Sequence, residues 1–209
     1  MGLVDKLTGG LFTKPQPIAT RSDLAEFMDS RAAFLAQKCV VEFCRVRAGV
    51  YWQKLFSEKE FQAELDLSRW RAYPPAFTMM AEMVEGALRE AAGIRQRHLP
   101  ERLSGLAGDV FARYPVPAGE DPAFWTLARG LVEEQLAKTQ AGPPRPVRDL
   151  PKPMARAVFN VLPMHKDIVT NDYDYIFNNL RMNLLRAHED FINVADLKSV
   201  ADDLLGARD

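Results

Sequence analysis

Between residues 22 and 56, apolar side chains recur at steps of three and four: Met28, Ala32, Leu35, Cys39, Phe43, Val46 and Val50. At about 3.6 residues per turn, that spacing places them on one face of a helix. A second line, Phe27, Phe34, Val41 and Ala48, lies well round the cylinder, and Val40, Cys44 and Tyr51 take a third direction. A helix apolar on several sides is a buried one, so this stretch is expected at the centre of the fold. Ser22 or Thr20 suits its N-cap, Asp23 and Glu26 suit its positive end, and Gly49 predicts a bend or an end.

Ser57-Glu58-Lys59-Glu60 then has the form of a capping box, with Phe56 and Phe61 at the two positions of a hydrophobic staple. A new helix is expected from Glu58, ending near Tyr73 because Pro74 and Pro75 each disfavour helix in the residue before them. A third follows over 76–95, burying Phe77, Met80, Met83, Val84 and Leu88; its methionines suit core packing better than an adaptable pocket. Pro100 opens a helix through Phe111, and Asp121-Pro122 opens another through Leu136. The run AGPPRP, 141–146, reads as a rigid surface connector.

A short helix over 150–162, a long one over 172–192 and a short one over 196–205 complete the pattern. The long one carries Tyr173, Ile176, Phe177, Leu180, Leu184, Leu185, His188, Phe191 and Ile192 on its apolar stripe. No run alternates apolar and polar residues as a half-buried strand would. The expected fold is all-α: an irregular bundle of about seven or eight helices around the long helix at 22–56, forming a single domain over 22–209.

Residues 1–21 form a separate N-terminal part. Leu3, Val4, Leu7, Leu11 and Phe12 stand at helical spacing opposite Asp5, Lys6 and Thr8, and Pro15 and Pro17 make an extended connector. Such a segment packs on its own domain or on a second copy, stays a disordered end, or lies on a membrane surface through Leu3, Leu7, Leu11 and Phe12. Lys6 occupies the position where the myristoylation pattern needs Ser or Thr, which closes that route.

The 209 residues are 47% hydrophobic and 26% charged, which suits a chain with a real core rather than a disordered one. A net charge of −1 argues against nucleic acid as a partner, because phosphates demand a basic excess. Cys39 and Cys44, five residues apart on one helix, point about 140° apart with Cα atoms roughly 8 Å from each other, too far to bridge. With no disulfide framework, no secretory pattern and no long apolar run, a cytoplasmic location is expected, with peripheral attachment at the inner membrane surface as the alternative.

The chemistry on offer is sparse. His188 falls in an apolar stripe, where an imidazole bonded at the core edge is the ordinary outcome and a ligand contact the sharper one. His165 and Asp167 could act together in proton transfer. Asn178, Asn179, Arg181 and Asn183 give the same helix a face rich in hydrogen-bonding groups, and Arg31, Lys38 and Arg45 recur along the central helix as snorkelling, paired or anion-facing cations. Glu-x-x-His pairs, H-E-x-x-H, the two glycine-rich phosphate motifs and G-x-S-x-G are all absent, so neither a metal nor a cofactor is expected.

The sequence therefore favours a non-enzymatic protein that binds a partner helix, a second copy of itself or an amphiphilic small molecule. The expected site lies where His188, Asn179 and Asn183 meet Arg31, Lys38 and Arg45. One alternative is a small enzyme with His188, His165, Asp172 and Arg181 around one cleft. The other is a membrane-surface protein using the N-terminal segment.

Overall fold

Thr20 starts the first helix, α1 (Arg21–Ala48). Its hydroxyl accepts from the Asp23 amide at 3.1 Å, and the Asp23 carboxylate accepts from the Thr20 amide at 3.0 Å, which completes a capping box. The computed structural model describes residues 17–164 and 172–206. The N-terminal contact residues Leu3, Leu7, Leu11 and Phe12, and His165 with Asp167, lie outside the described residues.

Gly49, at φ +52°, ends α1, and one 3₁₀ turn (Gly49–Tyr51) leads into α2 (Trp52–Ser57). Burial stops sooner than the apolar pattern does. The stripe is enclosed from Met28 to Phe43, but Val46 and Val50, which continue it, are 60% and 87% exposed, and Tyr51 is 73% exposed. The pattern repeats past Cys44, yet among the described residues it is not enclosed there.

The capping box expected at Ser57 does not form. Its hydroxyl donates to the Lys54 carbonyl at 2.7 Å, and Glu58 becomes the N-cap without a side-chain bond. The staple does close, with the Phe56 and Phe61 rings 5.4 Å apart. The helix that follows, α3 (Lys59–Ala92), runs straight through Pro74 and Pro75 instead of stopping at Tyr73. The two prolines withdraw the amides that the carbonyls of Trp70 and Arg71 would otherwise receive, at a cost of about 3 kcal/mol for an interior proline. Continuing the helix buries Tyr73, Phe77, Met79, Met80 and Met83 completely, at about 1.5–3 kcal/mol for each large side chain, so burial outweighs the lost bonds.

Gly93, at φ +57°, ends α3, and a 3₁₀ segment (Gly93–His98) leads to α4 (Leu99–Phe111), with Pro100 in its first turn. Asp121 accepts from the Ala123 amide at 2.7 Å just before α5 (Phe124–Ala137). Pro151 and Pro153 keep the next stretch in turns, which confines α6 to Ala155–Asn160, well short of the expected 150–162. The last two helices are α7 (Tyr173–Val194) and α8 (Leu197–Leu205), the latter capped by Asp196, which accepts from the Ser199 amide at 3.0 Å.

The class is all-α as expected. Among the described residues six helices reach nine residues or more, fewer than the expected seven or eight, because 58–73 and 76–95 are one helix and 150–162 shrinks to six residues. The most enclosed element is α3 rather than α1: every residue from 72 to 85 is buried. Helices α1, α4, α5, α6, α7 and α8 all pack against it. The only strand-like pairing among the described residues is a parallel bridge at the edge, where Ile18 donates to Val194 at 3.2 Å and accepts from Asp196 at 2.9 Å.

Candidate functional site

Helix α7 packs along α1, and the seam between them holds most of the polar groups singled out in the sequence. Phe27 meets Phe191 at 5.3 Å between ring centroids, and Phe43 meets Tyr175 at 5.8 Å, which fixes the two helices at both ends of the seam. Between these anchors a cleft of about 250 Å³ opens, with Phe34, Leu35, Met80 and Ala187 as its apolar walls and Arg31, Arg186, Glu189 and Asp190 around its rim.

Asn183 also lines this cleft and is only 7% exposed. Its amide nitrogen donates to the Asn179 carbonyl at 2.8 Å and side-chain oxygen at 3.0 Å, which fixes the plane of the amide. Its own Oδ1 is buried with no hydrogen-bond partner among the described residues. A buried acceptor left in that condition is the exception in folded proteins and marks a place where a donor is missing. On the rim, Arg31 pairs with Asp190 at 2.9 Å, whereas Arg186 and Glu189 have no ion-pair partner among the described residues.

The other sequence candidates are distributed along the same seam but not in the cleft. Lys38 lies 3.6 Å from Glu42, and Glu42 in turn accepts from Asn179 at 3.3 Å. Arg45 stacks on Trp52, 4.9 Å above the ring. All three cations of the α1 series lie over aromatic rings, Arg31 on Phe27 at 5.6 Å and Lys38 on Phe34 at 5.4 Å, the geometry of snorkelling cations. His188 is half-buried and is not among the cleft residues. Within the stripe that contains it, Leu185 and Ile192 turn out exposed.

The arrangement disfavours a shared catalytic cleft. Asp172 sits at the start of α7, buried and paired with Arg47, sixteen residues before His188. On one straight helix that is about 24 Å along the axis, too far for both to act on one reacting atom. Arg181 lies over Phe177 at 5.8 Å.

Two buried polar networks escaped sequence reasoning. In the first, the Glu85 carboxylate, 1% exposed, receives a bidentate grip from Arg89 at 2.9–3.1 Å and a bond from Gln140. One turn earlier Glu82 is held by Arg145 at 2.7 Å through two bonds and by Gln135 at 2.7 Å. Arg89 also donates to the carbonyls of Thr139 and Gly142, and Pro144 lies over Gly86, where a Cβ would come within 3.2 Å of it. The expected surface connector is thus strapped to α3. These groups line a cleft of about 520 Å³, but their charges are matched pair for pair and none of them lacks a partner among the described residues.

In the second network, fully buried Asp29 accepts from the Tyr73 hydroxyl at 2.7 Å and from Tyr114 at 2.8 Å, with Arg113 3.7 Å away. Burial first, and the Asp29 charge with its hydrogen bond next, push the Tyr73 phenol well above its ordinary value; Tyr114 moves the same way for the same reasons. Cys39 and Cys44 are buried and unpaired, and burial pushes both thiols up to about 12. The signal in the sequence was available: Asp29, Glu82 and Glu85 each stand among small or apolar neighbours, where a carboxylate must be paired.

Among the described residues no cluster of side chains is arranged to hold a metal ion, and no helix is long and apolar enough to cross a membrane. Compared with protein-family models, with curated proteins and with solved structures, the chain matches none.

Proposed function

We propose that the protein works by binding, and that it takes a small amphiphilic molecule into the cleft between α1 and α7. The observation that carries this reading is the unpartnered Oδ1 of Asn183 beside apolar walls and under a charged rim. An unsatisfied buried acceptor forfeits about 1–3 kcal/mol, which a ligand hydroxyl, amide or ammonium donor would recover. Phe34, Leu35 and Met80 suit the apolar body, and Arg186 and Glu189 offer opposite charges to a polar end.

The test is native mass spectrometry of freshly purified protein, followed by titration with an anionic naphthalene sulfonate dye. Retention of a small molecule, or one-to-one dye uptake, is expected. Ala187→Leu, which fills the cleft, and Asn183→Leu, which removes the acceptor, should each weaken uptake by about tenfold or more. A protein that retains nothing and takes up no dye, or an Ala187→Leu variant that binds as tightly as the parent, would sink the idea.

A further inference from the structure

The turn between α1 and α3 is the part of the molecule that the fold leaves uncovered. From Arg45 to Glu60 no residue is buried, although the stretch contains Val46, Val50, Tyr51, Trp52, Leu55 and Phe56. Val50 and Tyr51 are among the most exposed large apolar residues described. The turn is ordered by its own contacts: Gly49 supplies the positive φ, and Trp52, Phe56 and Phe61 form an edge-packed ladder with centroids 6.0 and 5.4 Å apart. Gln62 donates to the Phe56 carbonyl at 2.8 Å and holds α2 against the start of α3.

Charge identifies the occupant. The uncovered stretch 45–60 holds Arg45, Arg47, Lys54 and Lys59 against Glu58 and Glu60, a local excess of two positive charges within a chain of net charge −1. Arg47 is committed to Asp172, while Arg45 and Lys54 have no carboxylate partner among the described residues. Arg45 instead lies on the face of Trp52, which keeps a cation beside an amphipathic ring. Exposed valine, a tyrosine and tryptophan pair and flanking cations in excess over carboxylates are the composition that partitions into the headgroup region of an anionic bilayer.

We infer that the α1–α3 turn, through Val50, Tyr51 and Trp52 with Arg45 and Lys54, is a docking surface for an anionic lipid membrane. It is distinct from the α1–α7 cleft. Apolar tips enter the interface while the two cations meet lipid phosphates and carboxylates; no helix crosses the bilayer.

The test uses the full chain in flotation with vesicles of phosphatidylcholine alone and of phosphatidylcholine with phosphatidylserine. Binding to the mixed vesicles only, weakened by added salt, is expected. Val50→Asp with Tyr51→Asp, and separately Arg45→Glu with Lys54→Glu, should each weaken it by about tenfold or more. Leu7→Asp with Leu11→Asp should leave it unchanged. Since Arg45, Val50, Tyr51 and Lys54 are all exposed, these variants should melt like the parent. As a check that needs no loss of binding, the tryptophan emission should shift to the blue on mixed vesicles in the parent and not in Trp52→Phe. No binding to mixed vesicles, equal binding by the Val50/Tyr51 variant, or loss through Leu7/Leu11 alone would each overturn the inference. So would a dimer dissolved by Val50→Asp in a protein that ignores vesicles.

Discussion

A carboxylate enclosed on a helix face survives only with a cation or several donors in reach, and Glu85 has both. Its partner Arg89 is itself only 8% exposed, so the pair is worth little over two apolar residues but is expensive to break. Arg89→Ala should lower the unfolding free energy in urea by about 3–5 kcal/mol, and Glu85→Met with Arg89→Met should recover much of that loss. If the double variant is as unstable as the single, the bonds from Arg89 to Thr139 and Gly142 carry the effect instead. The tyrosines around Asp29 give a pH signature at the same scale. Their folded-state pKa values are raised, so the unfolded chain releases those protons first. Their contribution is complete below the ordinary phenol value of 10.0 and is lost as pH rises through and beyond it. The two thiols add a loss of the same sign that begins near their ordinary value of 9.0. Urea titrations across the alkaline range should show stability falling, and Tyr73→Phe with Tyr114→Phe should flatten the upper part of that fall.

At the scale of the element, glycine divides into two kinds here. Gly93 terminates α3 at a positive φ, so Gly93→Ala should destabilise by about 1–2 kcal/mol. Gly105 lies inside α4 with nothing within 4 Å of an added Cβ, so Gly105→Ala should stabilise by about 0.5–1 kcal/mol. Opposite shifts in thermal midpoint would check both. The elements legible in the sequence were those whose ends are written locally: Thr20 with Asp23, Gly49, Pro100 and Asp196 mark boundaries close to where the helices begin or stop. Pro74 and Pro75 misled because a local rule met a stronger distant one, namely the packing of α1, α4 and α5 on the residues that follow them. The candidate seam was legible as a meeting of Asn179, Asn183 and Arg31. The strap from 138 to 146 was not, because a Gly-Pro run carries no sign of the helix it lies on.

At the scale of the whole molecule, the enclosure of Cys39 and Cys44 makes them reporters of global opening. Both thiols are buried within α1 and raised to about 12. A disulfide reagent at neutral pH should find neither in the native protein and both in denaturant, at a native-state rate that follows unfolding. Fast labelling of one thiol would mean that α1 opens separately from the bundle. The same whole-molecule view joins the two proposals through α1: Phe34 in the cleft and Arg45, where the docking turn begins, are eleven residues, or about 17 Å, apart along it.

The clasp at Ile18 has a consequence for the order in which the protein is built. Its two backbone bonds reach Val194 and Asp196, and the first amide of α1, at Arg21, donates to Asp203 at 2.6 Å. A ribosome delivers α1 long before those partners exist, so this helix has its entry sealed only after α7 and α8 emerge. Bringing ends so distant in sequence together is a late step for any chain. Until then the growing polypeptide carries a helix already capped by its own Thr20 and Asp23 whose apolar faces await the segments still to come.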